Sequence, residues 1–159
     1  MMSIHLIVIL VFIAGFILMA ILYRNATLDK LPKLSGENTL LEEMPVKVSQ
    51  GGSSQTTIFT KCLVRVTNYR IIVAQKPLLG KTLALRHVIT YNEYSHDTDL
   101  KKTLLCGYMI FKINKSDVKI IENSENNLIQ IDIPNSTLTK GQYLEFTLEK
   151  FEEFKKLFL

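Results

Sequence analysis

Three histidines and two cysteines are the side chains of this 159-residue chain best suited to act as base, nucleophile or metal ligand. His96-Asp97-Thr98-Asp99 is the one short stretch in which an imidazole and two carboxylates could approach a cation. One His beside two acids in a polar segment has the composition of a solvated loop, so no metal is expected there. A thiolate–imidazole pair would need Cys62 or Cys106 next to His87 or His96. Cys62 alternates with apolar residues and Cys106 follows Leu104-Leu105, which is the pattern of buried structural thiols. The two cysteines lack a Cys-x-x-Cys spacing and read as free thiols rather than a disulfide. The sequence contains no Gly-x-Gly-x-x-Gly, no phosphate-binding loop and no Gly-x-Ser-x-Gly. These readings predict a protein that is not an enzyme and has no cofactor.

Positive charge is the remaining chemical signal. Lys47, Lys61, Arg65, Arg70, Lys76, Lys81, Arg86, Lys101 and Lys102 face only Glu93, Asp97 and Asp99 between residues 46 and 102. Residues 103–146 carry slightly more acid than base. Lys47, Lys61, Arg65 and Arg86 are the expected contact surface, because alternation along the strand that holds Lys61 and Arg65 puts both on one face. The whole chain is only +4, which is modest for a nucleic-acid binder, and no nucleic acid is expected as a partner.

The elements that position these residues are mostly strands. Ile58, Thr60, Cys62, Val64 and Val66 alternate with Phe59, Lys61, Leu63, Arg65 and Thr67, a period of two. Asn68 interrupts the run and Tyr69 to Ala74 resumes it, so a tight corner is expected at Thr67-Asn68, with Asn accommodating an unusual backbone. Further strands are predicted over Thr82–Thr90, Leu104–Ile113, Val118–Glu122, Leu128–Ile133 and Tyr143–Phe146, about seven in all. Asn92–Lys102 and Asn123–Asn126 read as loops. The period changes at the end: Leu148, Phe151, Phe154 and Phe158 fall on one helical face, with Thr147 as N-cap and Lys155 and Lys156 near the C-terminus. That helix is expected to plug one end of a curved antiparallel sheet or barrel.

The first residues have a different composition. The 18 positions from Leu6 to Tyr23 contain no charged side chain, enough at about 1.5 Å per residue to approach the roughly 30 Å hydrocarbon core of a bilayer. The run is too long for a signal peptide and no small-x-small site closes it, so residues 1–24 are expected to be a retained single-pass transmembrane α-helix. Arg24, Lys30 and Lys33 follow it, which predicts a cytosolic C-terminal domain. Asn25, Asn114 and Asn135 open glycosylation-type triplets that would matter only in a secretory lumen. Pro32, Gly36 and Pro45 punctuate residues 25–45, which read as a linker with one helical turn near Thr39–Glu42. One domain is expected over residues 46–159.

Within that domain, Leu63-Val64-Arg65-Val66-Thr67-Asn68-Tyr69-Arg70-Ile71-Ile72-Val73 resembles the signature of GRAM and related pleckstrin-homology-like domains. Their strands likewise turn through an apolar-x-Thr-Asn-x-Arg corner and end in a C-terminal helix. Lys61 and Cys62 stand where members carry a Gly, and Phe151 or Phe154 where pleckstrin-homology domains carry a Trp. The resemblance implies a pleckstrin-homology-like fold and a non-catalytic binding module. It also implies that inositol phosphates would sit near Gln50–Gln55, where Gly51, Gly52, Ser53 and Ser54 offer backbone amides. The leading expectation is a membrane-anchored adaptor or accessory subunit with a protein partner. The alternative is a sensor of anionic, phosphoinositide-type lipid headgroups.

Overall fold

The structure, a computed structural model, describes residues 4–52, 55–78, 81–94, 109–122, 127–133 and 141–159, with only the backbone for 19–25 and 94. Among the described residues, helix α1 (Ile4–Asn25) is followed by eight strands and a closing helix. The strands are β1 (Thr39–Gly51), β2 (Thr56–Thr67), β3 (Arg70–Gln75), β4 (Ala84–Tyr91), β5 (Met109–Ile113), β6 (Val118–Glu122), β7 (Asn127–Asp132) and β8 (Tyr143–Phe146), and the closing helix is α2 (Phe151–Phe158). They form one sheet in the order β5-β4-β3-β2-β1-β8-β7-β6. All neighbours are antiparallel except β4 and β5, which are parallel. Ile113 and Phe111 of one edge strand join the same apolar core as Val118 and Ile120 of the other, so the sheet curves around a single interior.

Strand β1 is the difference from the seven strands expected, and it holds the sheet together by pairing with both β2 and β8. Its first half falls where a linker and a helical turn were expected. The register along β1 and β2 shifts between Thr39 and Leu41, between Glu43 and Val46, and between Val46 and Val48. Each shift is a bulge that breaks the period of two, and the middle one absorbs Pro45, which has no N–H to give the ladder. The third shift lies on β2, where three steps from Phe59 to Cys62 oppose two from Val46 to Val48. Lys61 sits in this bulge at φ +56°, a left-handed conformation. The bulge inverts the strand's faces, so Phe59 packs against the core while Ile58 is 53% exposed.

The closing helix packs on the interior through Phe151 and Phe154, which are 3% and 0% exposed. Phe154 stacks on Phe158 at 4.6 Å between ring centroids and meets the edge of Phe146 at 6.0 Å. Burying two such rings contributes about 1.5–3 kcal/mol each. The first turn is not capped by Thr147. Instead the N–H groups of Glu149 and Lys150 donate to the Glu43 carboxylate, at 2.7 and 2.9 Å, so an acid on β1 satisfies donors that a helix N-terminus leaves open.

Residues 26–38 form a strap on the outer face of the sheet rather than a free linker. The N–H of Leu85 donates to Ala26 O at 2.8 Å, that of Leu28 donates to Leu83 O at 2.9 Å, and Thr27 bridges Ala84. Leu28 and Leu31 then cover an outer apolar patch of Ile72, Ala74, Leu85 and Val88. The strap ends at the Thr67–Arg70 corner.

The single-pass anchor is corrected by this structure. Among the described residues no helix is long and apolar enough to cross a membrane. The integral-membrane placement, its orientation and the cytosolic assignment of the domain all rested on that span and are withdrawn with it. The transmembrane part of the expected fold class goes too, leaving, among the described residues, a mostly-β sheet of eight strands with two helices.

Candidate functional site

Cys62 and His87, two of the residues with potential for covalent or acid–base chemistry, are buried and held neutral. Cys62 is 0% exposed, and its thiol contacts the Thr60 carbonyl. Burial pushes its pKa up to about 11, against a smaller opposite effect of Arg86. His87 is 1% exposed between Phe59 and Phe111, and its Nε2–H donates to Gln50 Oε1 at 3.1 Å. Burial, aided by the Arg86 charge, lowers its pKa to about 4. Among the described residues Nδ1 of His87 has no hydrogen-bond partner, and the Cys62 thiol contacts Thr60 O instead, so Cys62 and His87 do not form a nucleophile–base pair. Burial likewise raises the Tyr91 phenol. Among the described residues no three His, Cys, Asp or Glu side chains converge on a metal position. His96, Asp97, Asp99, Cys106, Lys101 and Lys102 lie outside the described residues, as do Ser53 and Ser54 of the expected headgroup loop.

The expected basic surface divides in two. Lys47 and Lys61 lie at the β2 bulge, and Arg86 is tied to it through Gln75. Lys47 is exposed between the two β1 residues that pair across the bulge, and Lys61 is exposed within it. Gln75 links the third member: its amide donates to Thr60 O at 3.2 Å and its Oε1 accepts from Arg86 Nε at 2.9 Å. The Arg86 guanidinium also lies 5.6 Å from the centre of the Phe59 ring, a cation–π contact. Arg65 is elsewhere, on the outer face, in an ion pair with Glu42.

Arg65 faces a groove of about 630 Å³ between the strap and strands β1 to β3. Leu28, Leu31, Ile72 and Leu83 supply its apolar lining, and Lys33, Lys81 and Asp29 are charged groups along it. Its wall is fixed by a buried ion pair. Arg70 Nε donates to Glu37 Oε1 and Nη2 to Glu37 Oε2, both at 2.7 Å, with the two side chains 5% and 6% exposed. Nη2 also donates to Pro32 O at 2.6 Å, and the Thr67 hydroxyl donates to Glu37 Oε1 at 3.0 Å. Burial alone would raise the Glu37 pKa. Hydrogen bonds from Arg70, the Leu34 N–H and Thr67, with the Arg70 charge, outweigh it and hold the carboxyl below its ordinary value.

Asn68 completes the attachment through its side chain, and its backbone is not left-handed. Its Oδ1 accepts from the Asn38 N–H at 2.8 Å and its Nδ2 donates to Gly36 O at 3.0 Å. Gly36 turns the strap at φ +75°, and a Cβ there would come within 2.9 Å of the Tyr69 hydroxyl, so the turn needs a residue free of both restraints. The sequence reading missed Leu28, Leu31, Lys33, Glu37 and Lys81 as groove residues. The apolar spacing Leu28, Leu31, Leu34 was the one local hint that this segment is packed.

No family model, no curated protein and no solved structure matches this chain.

Proposed function

We propose that this protein is a non-catalytic binding module, an adaptor or accessory subunit that engages a protein partner. The observation that carries this reading is the groove beside Arg65: about 630 Å³ of surface concavity with an apolar lining and basic flanks. That volume and mixed lining are typical of binding sites. The buried, neutral Cys62 and His87 favour binding over catalysis. The Thr67-Asn68-Tyr69-Arg70 corner, at the β2–β3 junction, also supports kinship with GRAM-type domains, which we offer as part of the same proposal. The test is co-purification of the full chain with stoichiometric partners, measured by size-exclusion chromatography with light scattering. A chain that stays alone in extracts of its own source would refute the adaptor reading.

One further observation favours the headgroup alternative. Leu78 is fully exposed at the β3–β4 turn, between Lys76 and Lys81 in sequence, and the Lys76 N–H donates to Lys61 O at 3.1 Å. An exposed Leu among lysines suits an anionic lipid surface, where each basic residue adds about 1 kcal/mol. Binding to phosphatidylserine vesicles but not phosphatidylcholine vesicles, lost in Leu78→Asp with Lys61→Glu, would support that reading over the first.

A further inference from the structure

The groove beside Arg65 has more positive charge than its own acids balance. Of the two carboxylates that line it, Glu37 is consumed by the bidentate contact with Arg70, leaving Asp29. Lys33 and Lys81 line the same concavity and make no ion pair among the described residues, while Arg65 is 28% exposed beside Glu42. The floor between these cations is apolar, from Leu31, Ile72 and Leu83. The chain itself shows what lies well on this face. The strap runs along it with Leu28 and Leu31 set into the sheet's outer patch, and Asp29 and Lys30 lie between them. The groove adjoins that strap on the same face and has a hydroxyl at Thr39 and another at Thr82 to meet main-chain groups.

We propose that the occupant of this groove is an extended acidic segment of a partner protein, in which carboxylates alternate with apolar residues. This rests on the adaptor reading and deepens it by naming the surface and the chemistry of the partner. Carboxylates of the segment meet Lys33, Arg65 and Lys81, and its apolar residues sit on Leu31, Ile72 and Leu83. Like-charged segments are rejected by the same three cations.

The test uses the full chain and two fluorescent ten-residue peptides, one alternating Glu and Leu, the other Lys and Leu, followed by anisotropy. The acidic peptide is expected to bind, more weakly as salt rises, and the basic one not to bind. Reversing two cations in Lys33→Glu/Lys81→Glu should weaken acidic binding on the order of tenfold or more, as two exposed pairs of up to about 1 kcal/mol each imply. Lys115→Glu/Lys156→Glu, at residues that do not line the groove, should leave it within about twofold. Equal binding of both peptides, or acidic binding unchanged by the groove reversal in a folded chain, overturns the inference. Binding to phosphatidylserine vesicles that the groove reversal abolishes, without acidic-peptide binding, overturns it in favour of a headgroup. If a stoichiometric partner co-purifies equally with wild type and the groove reversal, the adaptor reading stands and this surface does not. If no partner co-purifies, the adaptor reading is the part that fails.

Discussion

Replacing Glu37 with Ala removes one half of the ion pair that fixes the strap to the β2–β3 corner. The two side chains are 5% and 6% exposed, and among the described residues Arg70 would keep its charge with only Pro32 O as a side-chain partner. Breaking a buried pair on one side costs about 3–5 kcal/mol, because the remaining charge is left uncompensated. A domain of this size has about 5–15 kcal/mol in all, so the loss is about a fifth or more of its stability. The loss should also be local at first. The strap amides of Leu28 and Asn38, and the Leu85 amide that bonds to Ala26, are the hydrogen bonds that opening would expose. Urea unfolding gives the magnitude, and native-state hydrogen exchange gives the place. Exchange should accelerate at Leu28, Asn38 and Leu85 more than at Val64 or Ile129, which lie in the interior. Glu37→Leu with Arg70→Met should cost less than either single change, since no unpaired charge is then left behind. A cost under about 1 kcal/mol, the value of an exposed pair, with the strap amides still protected, would refute the claim that this contact holds the strap.

Acid should destabilise the protein through two groups. His87, at about 4 in the fold against 6.5 in the unfolded chain, contributes stability that is complete above about pH 6.5 and is lost as pH falls toward 4, at most about 3 kcal/mol. Glu37, lowered in the fold, contributes stability present above its unfolded value and lost below it. Urea midpoints from pH 4 to 7 should fall with acidity, and His87→Phe should flatten the slope above pH 4.5. Phe154→Ala empties a 0%-exposed position between Phe146 and Phe158 and should cost about 3–5 kcal/mol by thermal or urea unfolding; under 1 kcal/mol would mean that the helix does not close the core. Lys61→Gly relieves a left-handed φ of +56° and should be neutral or stabilising by up to about 1 kcal/mol, whereas Lys61→Val should destabilise. The opposite order in melting temperature would remove the bulge from the account of β2.

What the sequence made legible was whatever kept its period. The segment from Cys62 to Ala74 alternates without interruption except at the corner, and it forms the β2–β3 pair. Phe151, Phe154 and Phe158 keep helical spacing and pack on the interior. Strand β1 was missed because its bulges break the alternation that marks a strand, and because Pro45 reads locally as a breaker. One extra residue at Lys61 was enough to exchange the faces of β2 upstream of it. Lys61 and Arg65, two alternate positions on a regular strand, therefore belong to separate regions.

The candidate site was illegible for a different reason. Thr67, Asn68 and Arg70 stood out as a corner, but every partner that gives them meaning lies some 30 or more residues earlier. Glu37 is one acid among several in a segment whose Pro and Gly suggest freedom. Nothing local distinguishes a Glu that will meet Arg70 from one that will meet water; the distinction is made by burial, which the fold imposes from both sides of the pair. A motif in such a chain can declare that it holds something without declaring what. Here Thr67, Asn68 and Arg70 hold residues 32–38, and that attachment supplies the wall of the groove. The corner thus contributes to the proposed binding through the strap that it holds. Loosening it should weaken acidic-segment binding in step with strap opening.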